Sequence, residues 1–280
     1  MVYRRALLQK SAFLLLGIMP LAGALLYALG YSLGLLGALG QGFTLRHWAR
    51  LLQDDAFWRA LLLSSLMAVS VCALSAFMAL RLLPRLMPWW EKKRWRPIFY
   101  LPLALPPLVA AVLSLQFLGN SGMLARLATA LGMDAAHFPA LTNDPAQLGL
   151  GFTLLMLTFP FTLLVMLNHY KSAQLSELSD LAATLGASPA QIRRKLWAPV
   201  LLRRAAPTLL LSAVFMFGAF EAPLLLGRQY PAMISVYINQ KFSRFNLDDV
   251  PLAYTATVVY ALLLLSALAF FLHHQKQEKS

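Results

Sequence analysis

Few residues of this chain have the types and spacing that chemistry needs. The histidines His47, His137, His169, His273 and His274 are scattered, and none pairs with another ligand at metal spacing inside an apolar run. Ser212 and Thr208 have no base placed to activate them. No G-x4-G-K-[ST] phosphate loop occurs, so any ATP chemistry would have to come from a partner. Cys72, the one cysteine, stands in an apolar run and reads as a small core residue. The exception is Glu221, the one acid inside an otherwise apolar run. A charge at the bilayer centre costs about 2.5–3.5 kcal/mol on insertion scales, so such a residue faces a cavity or a partner. Pro223 frees a backbone carbonyl near residue 219 and can bend the helix. A carboxylate beside a helix break is a candidate gate or cation-sensing point; a glutamate hydrogen-bonded to a neighbouring helix fits the same position. Gln116 and Asn120 are the other candidates to line a path, with capping and helix contacts as the alternative.

The elements that position these residues follow from composition. The chain is 59% hydrophobic and 12% charged, against about 25% charged in soluble domains. It reads as an integral membrane protein. A membrane-crossing helix needs about 20 apolar residues, and six runs qualify: 11–39, 60–80, 97–118, 145–168, 205–227 and 251–272. Signal-peptide cores are about 7–15 residues long; the first run is longer and is expected to be a retained helix. Tyr100, Pro102, Pro106 and Pro107 predict an irregular third span. Trp89, Trp90 and Trp95 beside Lys92, Lys93 and Arg94 read as an interfacial anchor.

The net charge of +13 invites a nucleic-acid reading. In a multi-span protein the simpler account is that lysine and arginine collect in inner loops. With the N-terminus inside, most of the 24 basic residues fall in the inner segments, from Arg4, Arg5 and Lys10 to Lys276 and Lys279. Asp54, Asp55, Asp134, Asp144, Asp248 and Asp249 fall in the outer ones. The expected orientation is N-in, C-in, with the segment between spans four and five in the cytoplasm.

That segment, 176–199, carries two helix signals. Ser176 is a candidate cap, with Glu177 and Asp180 in the first turn. Leu178, Leu181, Ala182 and Leu185 then share one face at i, i+3, i+4, i+7. Gly186 suits the left-handed stop. Ser188-Pro189-Ala190-Gln191 is a capping box with proline at the first helical position. Ile192 and Leu196 lie on one side of the second helix, with Arg193, Arg194 and Lys195 around the other. A DNA-binding helix-turn-helix has a similar pattern, but it needs a further helix to complete its core. Both ends here are pinned to membrane spans, so no nucleic acid is expected.

The same segment resembles the inner loop of permease subunits of binding-protein-dependent type I ABC importers, written EAA-x3-G-x9-I-x-L-P. The match is Asp180-Leu181-Ala182, Gly186, Leu196, Ala198 and Pro199, with the glycine-to-proline spacing kept. It departs by Asp at 180, Leu at 181, Leu at 196 and Ala at 198. The resemblance implies an all-α, six-span, MetI-like fold in the bacterial inner membrane. It implies a first transmembrane helix and outer loop over 1–56, the transmembrane domain over 57–272 with a cytoplasmic coupling loop at 171–204, and a tail at 273–280. Leu178, Asp180, Leu181, Ala182, Ala183, Leu185, Gly186 and Pro199 would contact a separate ATPase subunit, which binds ATP and Mg; this chain would hold no cofactor and catalyse no reaction. The implied partners are an ATPase dimer, a second permease, different from this one in the favoured reading, and a periplasmic or lipid-anchored binding protein, all around membrane lipid.

The run Phe217-Gly218-Ala219-Phe220-Glu221-Ala222-Pro223-Leu224-Leu225-Leu226-Gly227 looks like the fifth span of the spermidine/putrescine branch. It makes a polyamine-like cation the first guess for the solute, with Glu221 and Pro223 in the path. Iron, thiamine or phosphonate import is the alternative within the family. An ion-driven secondary transporter is the alternative outside it, disfavoured by a single clear intramembrane acid and no convincing repeat. A membrane-embedded enzyme lacks its constellation.

Overall fold

The computed structural model describes residues 14–37 and 42–277, and the side chains of 272 and 274–277 fall outside that description. Arg4, Arg5, Lys10 and Lys279 lie outside it, as do the side chains of His274 and Lys276. Twelve helices are present among the described residues: α1 (Leu14–Ser32), α2 (Arg46–Gln53), α3 (Asp55–Glu91), α4 (Arg96–Tyr100), α5 (Pro107–Leu118), α6 (Met123–Ala130), α7 (Leu148–Ser172), α8 (Leu175–Thr184), α9 (Pro189–Phe217), α10 (Glu221–Leu226), α11 (Ile234–Ser243) and α12 (Asp249–Gln277). Six stretches are long and apolar enough to cross a membrane: α1, α3, Pro107–Ala130, α7, α9 and Asp249–Phe271. The six runs expected from sequence are therefore present, with altered bounds.

The chain forms two compact units. The larger, Ala60–Val236, is organised around two apolar clusters. One joins Met67, Ala68 and Val71 of α3 to Ala111 of α5, Leu150 and Leu154 of α7, Leu226 of α10 and Met233. The other joins Leu83, Met87 and Trp90 of α3 to Leu163, Leu167, Leu175 and Leu201. The second cluster explains why α3 runs 37 residues, well past the expected end at residue 80. Pro84 and Pro88 each remove a helical hydrogen bond. Leu83, Met87 and Trp90 lie on one face and are buried, so packing offsets that loss. Trp90 is therefore a core residue rather than an interfacial anchor. Its ring meets Phe99 edge-on at 5.5 Å, and Arg96 Nε donates to its carbonyl at 3.0 Å.

The third span is irregular, as its prolines require. A short 3-10 turn at Leu101–Ala104 ends in extended Leu105 and Pro106 before α5 begins. Hydroxyls of α7 are satisfied within the helix: Thr153, Thr158 and Thr162 each donate to the carbonyl four residues earlier.

The other unit, Met1–Arg59 with Tyr237–Ser280, packs α1 and α2 on α12. Tyr27, Tyr31 and Tyr254 form an aromatic cluster, with the Tyr31 and Tyr254 rings 4.3 Å apart. Beside it sits an ionic network. Tyr237 Oη donates to Asp54 Oδ2 at 2.8 Å, and Lys241 Nζ lies 3.1 Å from the same oxygen. Lys241 also reaches Asp249 at 4.0 Å, and Arg244 reaches Asp249 at 3.5 Å. Burial pushes the Asp54 carboxyl up, but the Tyr237 and Lys241 hydrogen bonds, the Lys241 charge and the Ala56 N–H together hold it below the ordinary carboxylate value.

That shift gives a pH-dependent contribution to stability. A depressed folded pKa stabilises fully above the unfolded value of about 4 and is lost as pH falls through the folded one. Asp54→Asn is expected to lower unfolding free energy by about 1–3 kcal/mol at neutral pH. Denaturation followed by tryptophan fluorescence should show the difference from the parent shrinking as pH drops towards the folded pKa of Asp54.

Candidate functional site

Helix α8 is tied on one side and bare on the other. Its first residue, Leu175, is fully buried in the second cluster. One turn on, the Ser179 hydroxyl donates to the Leu175 carbonyl and accepts from Trp197 Nε1 at 2.8 Å. The Trp197 ring stands edge-on to Tyr170 of α7, 5.0 Å between centroids. Helix α8 is thus joined to the end of α7 and the start of α9 through one indole. The opposite face carries Leu178, Leu181 and Leu185, exposed at 42%, 61% and 88%. This face does not pack on the chain's own helix ends. Ala182 is half-buried, while Asp180 and Ala183 are exposed.

The local geometry follows sequence rules with two changes. Helix α8 starts at Leu175 rather than after Ser176, because Gln174 takes a left-handed conformation and turns the chain directly out of α7. Ser176 lies inside the helix. Gly186 has φ +83°, the stop its type predicts, and a side chain there would be strained. The Ser188 hydroxyl accepts from Gln191 N at 3.3 Å and Gln191 Oε1 accepts from Ser188 N at 2.8 Å, completing the capping box. The second expected short helix is not separate. It continues through a π-turn at Arg193–Trp197 straight into the fifth span. Pro199, exposed near the end of that turn, cannot donate to the Lys195 carbonyl, and the wider π-turn accommodates the loss.

The fifth span is not one helix over 205–227. It breaks at Gly218–Phe220 and resumes as α10 at Glu221. Pro223 has no N–H for the Ala219 carbonyl; the Ser235 hydroxyl donates there instead. Asn143 N donates to Leu226 O at 2.8 Å and so fixes the far end of α10. Glu221 is partly buried in the first turn of α10, where a carboxylate suits the helix dipole. It has no hydrogen-bond or ion-pair partner among the described residues, so the neighbouring-helix alternative for it is not realised.

Gln116 and Asn120 do come together. Both line a cleft of about 1250 Å³ between α5, α6 and α7, with Ser114, Arg126, Thr142 and Phe152. Helix α10 packs on α5, but neither Glu221 nor Pro223 lines this cleft. Pro223 is buried. Sequence reasoning missed Arg126 and Ser114 because both lie away from any motif; the signal was an arginine six residues beyond Asn120 with no acid near it. It also missed the Ser179–Trp197 tie, which joins residues 18 apart. No group of three or more histidine, cysteine or acidic residues that could hold a metal exists among the described residues.

Comparison with known proteins agrees with this architecture. Residues 72–277 match a family model described as "Binding-protein-dependent transport system inner membrane component". No curated protein sequence matches the chain. Among solved structures, it resembles a chain of a bacterial alginate ABC transporter in complex with alginate pentasaccharide-bound periplasmic protein. The TM-score is 0.69 at 19% identity, covering 99% of this chain and 94% of that one. A second structure, of a bacterial ABC transporter involved in the import of the acidic polysaccharide alginate, gives 0.68 at 19% identity, over 99% and 95%. At that identity the likeness is one of fold.

The indole tie makes a distinct prediction. Trp197→Phe keeps the ring against Tyr170 and removes the Nε1–H donor. Amide exchange along α8 is expected to rise roughly fivefold, the loss of about one net hydrogen bond, with little change in global unfolding. Hydrogen–deuterium exchange by mass spectrometry of the 175–184 peptide measures it.

Proposed function

The chain belongs to the family of binding-protein-dependent transport system inner membrane components, and from that premise we propose that α8 is the element through which an ATPase subunit drives this permease. The protein is a multi-pass inner-membrane transport subunit and not an enzyme. The observation that carries the proposal is the row of exposed Leu178, Leu181 and Leu185 on a helix anchored by Leu175 and by the Ser179–Trp197 bond. Three leucines held in water are unfavourable by roughly 25 cal/mol per Å² of apolar surface, and a groove on a partner removes that cost. Asp180, Ala182, Ala183 and Gly186 keep the rest of the surface small. Because α9 begins at Pro189, directly after this loop, and enters the membrane without interruption, a push on α8 is transmitted to the fifth span and to the break at Gly218–Phe220.

In this reading the N- and C-termini and α8 face the cytoplasm. The partner ATPase dimer binds ATP and Mg, a second and different permease completes the pathway, and a binding protein delivers a small polar solute on the outer side. The polyamine-like first guess rested on the resemblance of the run 217–227 to the spermidine/putrescine branch and on Glu221 within it. The helix dipole of α10 accounts for a carboxylate at that position, and no other intramembrane acid among the described residues supports a cation. The two similar structures are of transporters for alginate, an acidic polysaccharide, which also gives a polyamine no support.

Leu181 and Leu185 are exposed enough that a charge there leaves the fold intact. The pair Leu181→Asp and Leu185→Asp is expected to cut ATPase co-purification by tenfold or more, with unchanged thermal unfolding and membrane insertion. Gly186→Asp, which forces a side chain into φ +83°, is expected to give the same loss. Full retention of the ATPase in these variants would refute the assignment.

A further inference from the structure

The cleft between α5, α6 and α7 has an electrostatic character that the coupling surface does not explain. It is largely apolar, as ligand sites generally are. Among the described residues its one charged lining residue is Arg126, and no carboxylate lines it. A smaller cavity of about 400 Å³ shares Asn120, Ser121 and Arg126 with it and also lacks an acid.

Two groups that line the cleft are left with unused hydrogen-bonding capacity. Arg126 Nε donates to the Ser121 carbonyl at 3.1 Å, which fixes the plane of the guanidinium. The two Nη atoms make no ion pair among the described residues. Such a pinned fork suits a carboxylate or phosphate, which it can bind through two parallel bonds. Ser114 is the second group. It is 3% exposed, and its hydroxyl has no hydrogen-bond partner. Thr153, Thr158, Thr162 and Ser212 all donate to the carbonyl four residues back; Ser114 does not. An unpaired buried hydroxyl is unfavourable, and pairing with a hydroxyl of a bound solute would relieve that. Gln116 and Asn120 add amide donors and acceptors, and Phe152, 45% exposed, adds an aromatic face.

The geometry points to a site for a hydroxylated anion: an acid group on Arg126, hydroxyls on Ser114, Gln116 and Asn120, and the apolar side of the solute on Phe152. This rests on the transport reading above and adds the solute class. It excludes polyamines, because the only ionic group that meets the solute among the described residues is positive.

A charge-matched series tests it. Glucuronate, glucose and glucosamine share one ring and differ in charge, and spermidine represents the polyamines. Equilibrium binding of each radiolabelled compound is measured on the intact importer, purified through this chain in zwitterionic nanodiscs without binding protein. Glucuronate is expected to bind about tenfold or more tighter than glucose, and glucosamine and spermidine to bind least. Arg126→Gln should erase the preference for glucuronate over glucose, Arg126→Lys should keep part of it, and Ser114→Ala should weaken both sugars severalfold. No binding, an order independent of charge, or an unchanged preference in Arg126→Gln would overturn the proposal. So would phosphatidylglycerol displacing glucuronate and being released by Arg126→Gln, since Arg126 would then serve a lipid phosphate. Retention of the ATPase by Arg126→Gln, measured in the same preparation, separates failure of the solute class from failure of the transport reading.

Discussion

The structure depends on holding an apolar helix face exposed without letting it fold back. Leu178, Leu181 and Leu185 would be buried by any loose loop. They stay out because α8 is fixed at its start by buried Leu175 and one turn later by Ser179 to Trp197. The same indole leans on Tyr170, so the last turn of one span, the exposed helix and the first turn of the next share one contact. Gly186 and the Ser188 capping box then fix the direction in which the chain leaves. An exposed apolar surface braced on three sides is what the proposed docking of an ATPase subunit requires.

The route from that handle into the membrane is governed by the rule that no backbone group may stay unpaired in hydrocarbon. The π-turn at Arg193–Trp197 absorbs Pro199, and the Ser235 hydroxyl fills the place of the N–H that Pro223 lacks. The helix can therefore break at Gly218–Phe220 without an orphaned carbonyl at 219. Helix α10, beyond the break, packs on α5, which also forms one wall of the Arg126 cleft. A displacement of α9 thus has a physical path to the cleft wall through named contacts.

Much of this was legible in the sequence where physics is local. Six spans, the proline irregularity before α5, the Gly186 stop and the Ser188–Gln191 box follow from composition, period and capping chemistry. What escaped was set by distance along the chain. Helix α3 passes through Pro84 and Pro88 because Leu83, Met87 and Trp90 are buried against partners some eighty residues later, which no local pattern shows. The split of the fifth span was foreshadowed by Pro223, but its stability relies on Ser235. Gln116 and Asn120 were recognisable as polar residues in an apolar run. Arg126 and Ser114 were not, because one looks like an ordinary loop arginine and the other like an ordinary helix serine until their partners are examined.

The most direct test of the central claim uses the chemistry of the chain itself. Cys72 is the one cysteine and is buried in the core, so Leu185→Cys gives this chain a single accessible thiol at the exposed leucine that ends α8. Labelled with a short benzophenone maleimide and illuminated in the intact importer, it should form an adduct with the ATPase subunit as the main product. Adducts confined to lipid or to the permease itself, with the ATPase present and active, would contradict the account.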